Sequence, residues 1–123
     1  MSTILVVDDE YLIANILGYA LEDEGYVVET ASNGQKALDI LKGTRVDLVI
    51  TDYMMPVLNG EEMARKIREE PQLQTLPLIL MSGAQAHEGR DNPELFVAVF
   101  DKPFDILAMI AKVREVVGTP EST

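Results

Sequence analysis

Ile4-Leu5-Val6-Val7-Asp8-Asp9 decides the fold. Four aliphatic residues in a row, rich in β-branched side chains, fit a strand covered on both faces, and the two aspartates mark its exit at a polar edge. Downstream, Leu12, Ile13, Ile16, Leu17, Ala20 and Leu21 recur at helical spacing between Glu10 and Glu24, and Gly25 stops that helix. Tyr26 to Ala31 reads as a short strand, and Ser32-Asn33-Gly34 can cap a second helix containing Ala37, Leu38 and Leu41 and closed by Gly43. A third strand, Val46 to Thr51, ends in Asp52. Asn59 can cap a third helix, acidic in its first turn (Glu61, Glu62) and basic later (Arg65, Lys66, Arg68), as the helix dipole favours; Pro71 ends it. Two more apolar runs follow: Leu76 to Met81, ending in Ser82, and Phe96 to Phe100, ending before Asp101-Lys102-Pro103. A last helix extends from about Phe104 to Val117. Between Gly83 and Leu95 the pattern weakens at Gly89, Asp91-Asn92 and Pro93, which predicts a short or irregular fourth helix. Five strand-helix alternations argue a doubly wound α/β sandwich on a parallel sheet, with its chemistry at the carboxyl ends of the strands.

The chain has 123 residues, the size of one domain able to bury about two-thirds of its unfolded surface without disulfides or a structural metal. That domain is expected over 1–118, with 119–123 a polar tail or the start of a linker. There is no cysteine, so thiolate catalysis, iron–sulfur ligation and cysteine-based zinc sites are excluded, and a reducing compartment is suited. Ten Lys and Arg against 21 Asp and Glu give a net charge of −11. Such a surface repels phosphate backbones and anionic lipids, so no direct nucleic-acid or membrane binding is expected. No apolar run approaches the length of a membrane span, and a soluble cytoplasmic protein is expected.

The polar residues of interest fall at strand ends: Asp8 and Asp9 after the first, Asp52 after the third, Ser82 after the fourth, Lys102 after the fifth. Carboxylates converging at one edge repel each other unless a cation joins them, and hard oxygen ligands suit Mg²⁺. A fixed lysine charge and a hydroxyl donor complete what is needed to hold a tetrahedral dianion beside a carboxylate. That is the chemistry of phosphoryl transfer to an aspartate.

Four motifs stand in order at these strand ends: Leu5-Val6-Val7-Asp8-Asp9; Asp47-Leu48-Val49-Ile50-Thr51-Asp52-Tyr53-Met54-Met55-Pro56 with Asn59-Gly60; Met81-Ser82-Gly83-Ala84; and Asp101-Lys102-Pro103-Phe104. With them the chain resembles the receiver domain of two-component response regulators from Thr3 to Val117. The resemblance implies a flavodoxin-like (βα)5 sandwich with strand order 2-1-3-4-5. It implies that Asp52 accepts a phosphoryl group from a sensor histidine kinase or a histidine phosphotransfer protein, and that the chain signals to a downstream protein. Asp9, Asp52 and the Met54 carbonyl would ligate Mg²⁺, with Asp8 acting mainly through a bound water. Ser82 and Lys102 would hold the phosphoryl group, and the Lys102-Pro103 bond would be cis. Homodimerisation is a habit of the family whose mode this sequence leaves open. The chain would be no enzyme beyond catalysing its own phosphorylation and dephosphorylation.

Three departures from the family pattern bear on mechanism. Val99 stands where receivers carry a switching Tyr or Phe three residues before the lysine, with Phe100 the nearest aromatic. Ser82 to Lys102 is a short interval, 20 positions, without the usual Gly-Ala before the fifth strand. Met54 and Ala84, two residues after Asp52 and Ser82, cannot orient an attacking water as a carboxamide or carboxylate side chain could, which predicts slow self-dephosphorylation. One competing reading is a degenerate receiver acting as a constitutive interaction module. Another is a haloacid-dehalogenase-type phosphatase, but Asp8-Asp9-Glu10-Tyr11 lacks the two-residue spacing of its nucleophile and acid. Taken singly, Asp8-Asp9 could be a helix cap, Ser82-Gly83 a turn and Lys102 a surface lysine; their coincidence argues otherwise. His87 reads as solvated, Met54, Met55 and Met63 as core or loop packing, and Glu22-Asp23-Glu24 as a solvated face.

Overall fold

Alternation of side chains along the aliphatic runs sorts the core into two layers. In the computed structural model, which describes residues 2–55, 57–83 and 95–119, the chain runs β1 (Thr3–Val7), α1 (Tyr11–Asp23), β2 (Val27–Ala31), α2 (Gly34–Gly43), β3 (Leu48–Asp52), α3 (Gly60–Glu69), a 3-10 turn (Pro71–Leu73), β4 (Leu78–Ser82), β5 (Ala98–Asp101) and α4 (Ile106–Val117). All strands are parallel, in the order β2-β1-β3-β4-β5. Leu5, Val7, Val49, Leu78 and Leu80 face α2 and α3, whereas Ile4, Val6, Leu48, Ile50, Ile79 and Met81 face α1 and α4. The three central strands are thus buried on both faces, as their unbroken hydrophobicity requires.

Three strands are shifted against the apolar runs that announce them. Val46, Leu76 and Phe96 pack on the core ahead of their strands, and the ladders instead include Asp52, Ser82 and Asp101. Hydrophobicity reports burial, and a loop residue over the core is buried without pairing. The consequence is functional: Asp52 and Ser82 are strand residues, held by the ladder. On α1, the sheet buries Ala14, Leu17, Gly18 and Leu21, and leaves Leu12, Ile16 and Tyr19 exposed along one side. The apolar stripe of that helix is wider than the face the sheet covers.

The expected caps form. Asn33 accepts from the Lys36 amide, and Asn59 with Glu62 makes a reciprocal capping box. Gly25, at φ 102°, supplies the left-handed residue that ends α1. Asp105 caps α4 through the Leu107 amide, so the helix begins at Ile106, and the Phe104 ring packs edge-on against Phe100. The fourth helix expected before Phe96, and with it Ala84 and His87, falls on 84–94, outside the described residues. Among the described residues no helix is long and apolar enough to cross a membrane.

Candidate functional site

At the carboxyl edge of the sheet, β1 delivers Asp8 and β3 delivers Asp52. These residues are only 2% and 4% exposed. The Asp8 amide donates to the Ala31 carbonyl, continuing the β1 ladder past Val7. Its side chain turns inward, where Oδ1 accepts from the Glu10 amide at 2.8 Å. From the other side the Lys102 amide donates to the Ser82 carbonyl at 2.8 Å, which ties the end of β5 to the end of β4. The Lys102-Pro103 bond is cis. Lys102 Nζ lies 3.1 Å from Asp8 Oδ2, 3.2 Å from Asp52 Oδ1 and 3.3 Å from Glu10 Oε1. Ser82 is fully buried, and its hydroxyl is the one buried side-chain polar atom among the described residues without a hydrogen-bond partner.

Burial and the neighbouring Asp8 charge push the Asp52 carboxyl up to about 6, with Lys102 opposing them. Burial likewise raises Asp8, against the Glu10 amide and Lys102. For Lys102, burial would lower the value, but the Asp52 and Asp8 carboxylates outweigh it and raise it. One lysine therefore only partly compensates this pocket.

Oxygens of Asp8, Glu10 and Asp52 lie within 4.8 Å of one another, a hard donor set that fits a divalent cation such as Mg²⁺. Asp9 stays outside that group, exposed at the rim, though its charge still contributes to raising Asp52. Met54 follows β3 with its side chain exposed. Glu10 has no role in the sequence motifs beyond opening a helix. It occupies the N-cap of α1 yet its side chain makes no capping bond, reaching Lys102 instead. A glutamate at a cap position, next to two aspartates, is the signal that could have found it.

Val99 is half-buried against the α2–α3 layer, and Phe100 lies in the opposite layer with Phe104. Strand alternation thus prevents Phe100 from standing in for an aromatic at position 99.

A family model described as the response regulator receiver domain matches residues 4–114. The chain belongs to that family. The response regulator ArlR of Staphylococcus aureus is 35% identical over 124 aligned positions, covering 94% of this chain and 52% of ArlR, so the chain spans about half of that relative's length. Among solved structures, response regulator TrrA of Thermotoga maritima in complex with Mg²⁺ and BeF is 35% identical, with a TM-score of 0.84, covering 94% of this chain and 99% of that one. Chemotaxis response regulator CheY4 of Vibrio cholerae gives a TM-score of 0.85 at 28% identity, covering 94% and 98%. Membership in the receiver family supports a phosphoacceptor signalling switch, and gives the constitutive interaction module no support.

Proposed function

We propose that this receiver domain accepts a phosphoryl group on Asp52, with Mg²⁺, from a phosphohistidine of a sensor histidine kinase or histidine phosphotransfer protein, and then signals by binding a downstream protein. The observation that carries this reading is the meeting of a buried strand-end carboxylate, Asp52, with the Lys102 ammonium at the end of β4, where the Lys102 amide is tied to Ser82, whose buried hydroxyl has no hydrogen-bond partner. In the transfer a carboxylate oxygen of Asp52 attacks phosphorus. The phosphorus–nitrogen bond of the donor breaks, its electron pair goes to the imidazole nitrogen, which takes a proton, and an acyl phosphate forms. Lys102 turns to a phosphoryl oxygen and the Ser82 hydroxyl donates to another. Asp9, Asp52 and the Met54 carbonyl would hold Mg²⁺, with Asp8 acting through water and Glu10 within reach; the ion would offset charge on the phosphoryl oxygens. TrrA, a relative of the same fold, is solved in complex with Mg²⁺ and BeF, which supports the reading.

In this reading the chain turns over no external phosphate ester and takes its phosphoryl group only from its donor. The Met54 side chain carries no carboxamide or carboxylate to orient an attacking water, which favours a long-lived phospho-form. The test is intact mass after incubation with Mg²⁺ and acetyl phosphate. A single phosphate adduct is expected, absent with EDTA and in Asp52→Asn, and persisting well beyond seconds. No adduct would overturn the function, and loss of the adduct within seconds would overturn the slow hydrolysis.

A further inference from the structure

We propose that Thr51 is a positioning residue: its hydroxyl fixes the peptide that follows Asp52, and so holds Asp52 and the Met54 carbonyl in the relation that a divalent cation needs. This rests on the Asp52 and Mg²⁺ reading above, and gives that site a group that touches neither metal nor phosphorus. Thr51 is fully buried on β3, and its Oγ1 donates to the Asp52 carbonyl oxygen at 2.9 Å. Two peptide units lead from Asp52 to Met54, and three hydrogen bonds fall on them. The Tyr53 amide donates to the Met81 carbonyl at 2.9 Å, the Tyr53 carbonyl accepts from the Gly60 amide at 2.8 Å, and the Asp52 carbonyl accepts from Thr51. The first two are backbone bonds that form whatever residue stands at 51, whereas the third needs a hydroxyl there. Packing alone does not explain that hydroxyl. Valine has the same shape and would fill the apolar layer with no buried polar group to satisfy.

Beyond Tyr53 the chain arches to α3 under strain. Met55 and Leu58 are buried in the core, and between them Val57 takes φ 72°, a left-handed conformation in which a β-branched residue is an outlier. Such strain persists only where the surroundings over-determine the backbone. Slack at the foot of the arch would let Val57 relax and carry the Met54 carbonyl with it. The Thr51 bond removes slack from that foot, and a cation then binds without having to order the backbone first.

The test compares, in the full chain, Thr51→Val, which keeps the shape and removes the hydroxyl, with Thr51→Ser, which keeps the hydroxyl and removes a methyl group. Calorimetry gives the Mg²⁺ affinity of protein that circular dichroism shows to be folded, and amide hydrogen exchange at Tyr53 and Gly60 reads the metal-free backbone. Thr51→Val is expected to bind Mg²⁺ about two- to tenfold more weakly, the equivalent of one hydrogen bond, with faster exchange at both amides. Thr51→Ser is expected to bind as the wild type does, although it unfolds at lower urea for the lost methyl group. A packing role predicts the opposite order, so Thr51→Ser weakened as much as Thr51→Val, or more, overturns the proposal. Wild-type affinity in Thr51→Val overturns it too, as does weaker binding with unchanged exchange. Should Thr51→Val not fold, Thr51→Ala takes its place against Thr51→Ser, with the same order expected and the same results overturning it. A wild-type chain that binds no Mg²⁺ would overturn the metal reading and this inference together, whereas the other outcomes leave that reading standing.

Discussion

A Cβ on Gly60 would lie 2.6 Å from the Asp52 carbonyl oxygen and 3.0 Å from Leu80 Cδ1, so only glycine lets the start of α3 approach the strand that carries Asp52. Gly60→Ala should cost about 1–3 kcal/mol by urea denaturation and lower the yield of phosphorylation, because the strain falls on the Asp52 backbone. Asp52 itself is held against its own charge. In the metal-free folded protein it keeps its proton to about pH 6, while in the unfolded chain it titrates near 3.8. Between those values the folded state binds more protons, so this carboxyl's contribution to stability falls as pH rises and levels off above about 6. Asp52→Asn should therefore be more stable than wild type at pH 7 in EDTA, by on the order of 2–3 kcal/mol, with the advantage gone near pH 4. Paired urea titrations across that range check it, and equal stability at pH 7 would show that the pocket accepts the charge freely.

At the scale of elements, the Asn59–Glu62 capping box does two things. It satisfies amides at the start of α3, and it seats the helix beside β3. Asn59→Ala should cost about 1 kcal/mol in unfolding and leave the sheet intact by circular dichroism. The strands show where periodicity is readable and where it is not. The runs at β1, β3 and β4 announce buried strands because each is too short for a buried helix and is bounded by turn residues. Their ends are less legible, since Leu76 and Phe96 are buried before pairing begins and Asp52 and Ser82 pair although polar. The exposed side of α1 was equally hidden, because spacing assigns residues to a stripe without saying how much of it a neighbour covers.

At the scale of the molecule, an acidic chain of net charge −11 concentrates carboxylates at one sheet edge around a single ammonium. A divalent cation should stabilise it by mass action, by about 2.7 kcal/mol at a hundredfold excess over Kd. Melting temperature is expected to rise with Mg²⁺ and to respond less in Asp8→Asn; an unchanged melting curve in wild type would count against a metal in this site. The amino-acid sequence by itself determined the alternation of strands and helices, the two-layer core, and the identity of Asp8, Asp52, Ser82 and Lys102, because each is written in local periodicity or in a motif at a strand end. Only the tertiary structure decided that Lys102, from the far end of the chain, is shared among three carboxylates, that Glu10 is one of them while Asp9 stands at the rim, and that Phe100 faces away from Val99. Those outcomes depend on sheet order, on the direction each side chain takes from its strand, and on distances between residues up to 94 positions apart, none of which local pattern encodes.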